Sequence, residues 1–277
     1  MSHGTAPGIP LRLLGIGLPL TILLGFGLGV LLFDGLGLLE IALIATMLAP
    51  TDAALGKAVV TNSAVPVEIR ESLNAESGLN DGICVPVLFV FLVLATGAST
   101  EGGTTFLALR LVAEEIGIGL AVGIGLTAAG TRLLALCDGK GWLTEVWRQL
   151  PVIALSIGCF ALAQSLGGSG FIASFAGGIF FGWVAKEHRH RLLLAAEGTG
   201  DTLALITWVV FGAVVVGDSM ANFTWQVLVY ALLSLTVIRM LPVFLVLSGT
   251  GLRTDEKLFM GWFGPRGLAS IVFGVIV

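Results

Sequence analysis

The chain has 277 residues, 56% of them hydrophobic and only 12% charged, with a formal net charge of −4. A soluble domain carries about 25% charged residues, so an ordinary soluble globular protein is excluded. The small negative charge, with no basic stretch interleaved with aromatics, excludes a nucleic-acid partner. A mean hydropathy of +1.00 and recurrent apolar runs predict instead an all-α polytopic membrane protein. The 39 glycines fit that class, because small residues let membrane helices approach closely. Cys84, Cys137 and Cys159 fall in apolar runs without metal-ligand spacing and read as buried helix residues.

In chain order, the apolar pattern predicts helices over Ile9–Phe33, Leu36–Val60, Arg70–Ala95, Thr105–Leu136, Leu150–Leu166, Gly170–Ala185, Thr202–Val216 and Phe223–Leu247, and an incomplete one from Leu258. Ile9–Phe33 is longer than a signal-peptide core of about 7–15 residues, and Asp34-Gly35 is a poor cleavage site, so it reads as a retained span. Arg110, Glu114 and Glu115 predict an interfacial turn before Ile116 enters the bilayer. The chain stops at Val277 inside an apolar run, which predicts a truncated chain.

The connecting loops alternate in charge. Lys57 and Arg70 flank one, Arg132, Lys140 and Arg148 another, "KEHRHR" at Lys186–Arg191 a third, and Arg253 and Lys257 a fourth. The intervening loops, Asp34–Glu40, Thr96–Thr104, Gly167–Ser169 and Gly217–Asn222, have almost no Lys or Arg. The positive-inside rule makes the basic set cytoplasmic and the path a simple serpentine. That rule already explains "KEHRHR", which needs no metal or nucleic acid.

Four polar interruptions remain inside the apolar runs, where a charge costs at least about 2.5–3.5 kcal/mol and is a functional hypothesis by default. In "APTDAALG", Pro50 breaks helix and Thr51 and Asp52 are N-cap types. Two half-helices, Leu36–Ala49 and Ala53–Val60, are therefore expected around an extended break, with Asp52 at the positive end of the second. The bland alternative is a cap on a helix outside the bilayer. In "ESGLND", Ser77 lies one turn below Asp81 and Glu76 one turn below Asn80, on adjacent strips of one side. Hydroxyl, carboxylate and carbonyl oxygens together suit a hard cation. A surface turn is the alternative, but Gly82–Ala95 alone is too short to span.

Arg239 in "VIRMLPVF" lies in mid-span, and Pro242 frees the carbonyl of Ile238. Glu76 is its natural partner, because that pairing leaves Asp81 free to titrate. Snorkelling to an interface is the alternative for Arg239. In "GWFGPRGLAS", Gly264, Pro265 and Gly267 break a second span at Arg266, which otherwise reads as a juxtamembrane anchor. Two broken helices of opposite direction are the signature of an inverted-repeat transporter with its site at the midplane.

Thr51-Asp52, "ESGLNDG" at Glu76–Gly82, Arg239 and "GWFGPRG" at Gly261–Gly267 resemble the monovalent cation:proton antiporter family of bacterial sodium/proton antiporters and animal sodium/hydrogen exchangers. The resemblance covers nearly the whole chain. It implies crossing unwound helices, a core transport domain and a dimerisation domain, and it implies that the family's first helices and its last are missing here. Core parts would occupy residues 1–137 and 218–277, and dimer-forming helices 138–217. The resemblance makes Asp81 the cation- and proton-binding carboxylate, with Ser77 and the Thr51 carbonyl helping to coordinate the ion. It has Asn80 and Asp52 organise the crossing, Glu76 pair with Arg239, and Asp52 and Arg266 compensate the charge of the broken helices. Many relatives carry Pro after the Thr-Asp; here it is Ala53.

The expected activity is exchange of H⁺ for Na⁺ or Li⁺, with K⁺ open, by competition at Asp81 and alternating access. Asn80, where electrogenic relatives have Asp, implies electroneutral one-for-one exchange. No enzyme activity and no cofactor are expected beyond the transported ions. The expected setting is a multi-pass protein in the lipid bilayer of a cell membrane, a bacterial inner membrane by type, forming a homodimer if complete. Two other readings stay open. One is an inactive fragment. The other is an intramembrane aspartyl protease using Asp52 and Asp81, against which stands the missing Gly-x-Gly-Asp signature at both positions.

Overall fold

The computed structural model describes residues 8–52, 59, 62–96, 104–144, 147, 150–185, 189–220 and 223–276. Among these residues the secondary structure is helical, with no strand. Helix α1 runs Gly8–Leu32 and contains a π-helical turn at Leu13–Gly17. Then follow α2 (Leu38–Met47), α3 (Val67–Ala95), α4 (Thr104–Gly139), α5 (Leu150–Ser165), α6 (Gly170–Val184) and α7 (Arg189–Val210). The last four are α8 (Trp225–Leu235), α9 (Val237–Val246), α10 (Thr254–Trp262) and α11 (Leu268–Ile276). Among the described residues, five stretches are long and apolar enough to cross a membrane: Gly8–Leu32, Val67–Ala95, Ala113–Gly139, Ala195–Val216 and Trp225–Val246.

Helix α3 starts at Val67 rather than Arg70 and α10 at Thr254 rather than Leu258, and three larger differences from the sequence expectation follow. No interfacial turn interrupts α4, which continues for 36 residues. Arg110 and Glu114 form an exposed pair at 2.7 Å, one turn apart. They reinforce the helix rather than break it, and the apolar span begins only at Ala113. Helix α7 starts at Arg189 rather than Thr202. Its Leu192–Ala196 run is strongly helix-forming and carries the helix through Gly198 and Gly200, where the Thr202 hydroxyl bonds the Gly198 carbonyl at 2.8 Å. The Phe223–Leu247 span bends at Thr236 (φ −114°, ψ −92°) and so becomes α8 and α9. The expected half-helix Ala53–Val60 lies outside the described residues except for Val59, as do positions 97–103 and 186–188.

Contacts divide the chain into two compact units, Met1–Ala98 with Val209–Val277, and Ser99–Trp208. In the first, α1 packs on α2, α8 and α9, and α3 packs on α2 and α1. One apolar cluster joins Ile9, Leu13, Ile69, Leu73, Val243, Leu247 and Met260. A second joins Leu18, Leu43, Ala49, Cys84, Val85, Leu88 and Phe273. The polar site lies along the same helices, so its groups are held by packed apolar neighbours.

The second unit contains α4, α5 and α6, packed against one another, and most of α7. Helices α4 and α6 approach closely through Gly123, where an added Cβ would run into the Ala173 backbone, and through Gly177, opposite the Thr127 hydroxyl. Gly123→Ala therefore destabilises this unit by about 1–3 kcal/mol, read as a lower thermal midpoint in detergent. Gly125→Ala, which meets open space, leaves the midpoint in place. Equal midpoints for the two variants contradict the close approach.

Candidate ion-binding site

Helix α2 stops because Pro50 offers no N–H to the Thr46 carbonyl, which is taken at 3.3 Å by the Ala49 amide instead. Residues 50–52 then run without regular structure, and so do residues 263–267 between α10 and α11. The two breaks cross. The Asp52 amide donates to the Pro265 carbonyl at 2.9 Å. Arg266 Nη1 donates to the carbonyls of Ala49 (3.1 Å) and Pro50 (3.3 Å), and its Nη2 donates to the Ser234 carbonyl at 2.9 Å. In return, Asp52 Oδ2 accepts from the Leu268 amide at 3.3 Å. A cation thus sits at the negative C-terminal end of α2, and an anion at the positive N-terminal end of α11.

Close approach at the crossing depends on two glycines. A Cβ at Gly267 would collide with the Asp52 side chain. One at Gly264 would press on the Arg239 Nε and on the Thr51 methyl group.

Beneath the crossing, Arg239 of α9 meets Glu76 of α3 side by side, Nη1 to Oε1 at 2.5 Å and Nη2 to Oε2 at 2.8 Å. Each residue is 2% exposed. Two opposed planar groups with two parallel hydrogen bonds offset much of the cost of burying both charges.

One turn along α3, Thr51 is enclosed by two polar side chains. Asn80 Nδ2 donates to Thr51 Oγ1 at 2.8 Å, and the Ser77 and Thr51 hydroxyls are 3.1 Å apart. Asp81 follows directly. Its Oδ1 is buried and, among the described residues, accepts no hydrogen bond, and the same is true of Asn80 Oδ1. Two buried acceptor oxygens without donors, beside two hydroxyl oxygens, form a set that a hard cation or a proton would satisfy.

All eight residues singled out from the sequence lie in the first unit. Thr51, Ser77 and Asn80 touch one another, Glu76 touches Arg239, and Asp52 and Arg266 each reach across the crossing. Ala53 lies outside the described residues. Sequence reasoning did not find Ser234, whose main chain holds Arg266. It also did not find Tyr230, whose hydroxyl donates to the Gly25 carbonyl at 3.1 Å. Both side chains are neutral or aromatic within apolar runs and carry no signal of their own. They lie four residues apart on α8 and so share a face.

Crossed, interrupted helices around a buried acid define a membrane transporter scaffold. The chain belongs to the sodium/hydrogen exchanger family: the family profile, described as "Sodium/hydrogen exchanger, transmembrane", matches residues 7–277. The family is one of transporters rather than enzymes, which removes the protease reading.

Among similar proteins, the K(+)/H(+) antiporter NhaP of Alkalimonas amylolytica is 26% identical, over 98% of this chain and 46% of its own length. The Na(+)/H(+) antiporter of Schizosaccharomyces pombe is 27% identical, over 88% and 55%. The solved sodium proton antiporter MjNhaP1 of Methanocaldococcus jannaschii shares the fold, with a TM-score of 0.77 at 23% identity, covering 97% of this chain and 65% of that one. The chain thus spans about half the length of the curated relatives it matches.

The geometry of the ion pair makes a stability prediction. Arg239→Ala strands Glu76 in an apolar setting and costs about 3–5 kcal/mol. The double variant Glu76→Leu, Arg239→Met removes both charges and recovers most of the thermal midpoint in detergent. A double variant no more stable than Arg239→Ala contradicts the pairing.

Proposed function

We propose that the chain forms the ion-exchanging part of an antiporter that swaps H⁺ for a monovalent cation, one for one, at Asp81. The observation that carries this reading is the buried Asp81 Oδ1, unpartnered among the described residues, beside a Glu76 that is fully engaged by Arg239. Counted as formal charges, Asp52, Glu76 and Asp81 give three negatives, and Arg239 and Arg266 give two positives. One proton or one alkali ion balances the remainder, and two at once would leave a buried positive charge. Competition for one carboxylate is therefore the electrostatically consistent mode.

In the cation-loaded state, Asp81, the Ser77 hydroxyl and the Thr51 main-chain carbonyl supply oxygens. In the proton-loaded state, Asp81 is neutral. Asn80 holds Thr51 in place, Asp52 and Arg266 hold the crossing, and Glu76 with Arg239 stays a fixed internal pair, so that only one carboxylate changes state. A rocking of one helix group against another would expose the loaded site to each side in turn.

Na⁺ and Li⁺ suit this oxygen set, and the curated K(+)/H(+) antiporters among the relatives support including K⁺. Residues 1–137 and 218–277 would carry transport. Residues 138–217 would belong to a dimer-forming part of a multi-pass protein of the cell membrane, a bacterial inner membrane by kinship to the bacterial antiporters.

In proteoliposomes loaded with a pH gradient, Na⁺, Li⁺ or K⁺ should dissipate the gradient at a rate that an imposed voltage does not change. Asp81→Asn should insert normally and lose that flux entirely. Retained cation-dependent proton flux in Asp81→Asn refutes the assignment, and a rate that follows the imposed voltage refutes the one-for-one stoichiometry.

A further inference from the structure

The end of α2 has one more partner, and it comes from α11. Met47 is the last residue of α2. In an uninterrupted helix its carbonyl would accept from the amide of residue 51. Here it accepts from the Ser270 hydroxyl at 2.8 Å. The two surfaces are in close contact at this point. One turn along α11, a Cβ at Gly274 would come within 3.3 Å of the Met47 methyl group, and Phe273 beside it is 1% exposed. Arg266 holds the carbonyls of Ala49 and Pro50 and leaves that of Met47 to Ser270.

The Met47 carbonyl is part-buried, and a carbonyl withdrawn from water favours a donor. Without the Ser270 hydroxyl, the donor in sequence reach is the Thr51 amide, and taking it would wind α2 by one more turn. That winding would rotate Thr51 about the helix axis, away from Ser77 and Asn80. Pro50 opposes helix from within the chain by disfavouring it at Ala49. Ser270 opposes it from outside, by giving the Met47 carbonyl a donor across the crossing, so that a further turn is not needed to supply one.

We propose that Ser270 is a positioning residue of the cation site: its hydroxyl satisfies the last α2 carbonyl from α11, keeps the break open and so holds Thr51 against Ser77 and Asn80. The effect on cation binding rests on the reading of Asp81 given above, whereas the hold on Thr51 does not.

The test compares Ser270→Ala and Ser270→Thr in the 277-residue chain. In proteoliposomes, Ser270→Ala raises the half-saturating cation concentration about fivefold, the weight of one neutral hydrogen bond, with the maximal rate within about twofold. Ser270→Thr keeps the hydroxyl and stays at the parental half-saturation. In detergent, amide hydrogen exchange shows the Thr51 amide better protected in Ser270→Ala and unchanged in Ser270→Thr. The proposal is overturned by a Ser270→Ala variant with parental Thr51 protection, or by a Ser270→Thr variant as impaired as Ser270→Ala. If Asp81→Asn keeps its flux, the site reading fails, and the exchange comparison alone decides whether Ser270 holds Thr51.

Discussion

Everything at this site depends on two helix ends that cannot be left bare in a bilayer. The C-terminal end of α2 carries carbonyls without intrahelical donors, and the N-terminal end of α11 carries amides without acceptors. In hydrocarbon each unmet group would cost several kcal/mol. The crossing meets them reciprocally: Arg266 reaches from the second break to the Ala49 and Pro50 carbonyls, and Asp52 reaches from the first to the Leu268 amide. An irregular backbone is thereby made tolerable inside the protein, and it brings Thr51 beside α3.

The buried charges then sort into two kinds. Glu76 and Arg239 neutralise each other through two parallel hydrogen bonds, and their positions are fixed by the packing of α3 and α9. Asp81 has an oxygen that no donor meets among the described residues. A group whose neighbours are already committed can change its occupant without dismantling the fold. That separation between fixed and exchangeable charge is what the proposed competitive exchange would require of the six polar-rich residues from Glu76 to Asp81.

Much of this could be read from the sequence, because a charge within an apolar run is a loud signal. Glu76, Asp81, Arg239 and Arg266 declare themselves that way, and Pro50, Gly264, Pro265 and Gly267 mark the breaks. The all-helical membrane class and the family followed from these features. The partners were harder to read. Ser234 and Ser270 are ordinary serines whose importance comes from carbonyls brought near by the crossing, and Met47 lies 223 residues from Ser270. Helix boundaries are also hard to read where polar residues fall within a helix. The Arg110–Glu114 pair strengthens α4, and the leucine-rich start of α7 outweighs Gly198 and Gly200. Conversely, the bend at Thr236 had no Gly or Pro of its own to announce it.

The central claim is that a proton and a monovalent cation exclude each other at one carboxylate. It is tested most directly by adding Na⁺, Li⁺ or K⁺ to the detergent-solubilised protein in weakly buffered solution and measuring protons released against ions bound. The account predicts one proton released for each ion bound, at a pH where the unloaded site holds its proton. Ion binding with no proton release at any pH would contradict it.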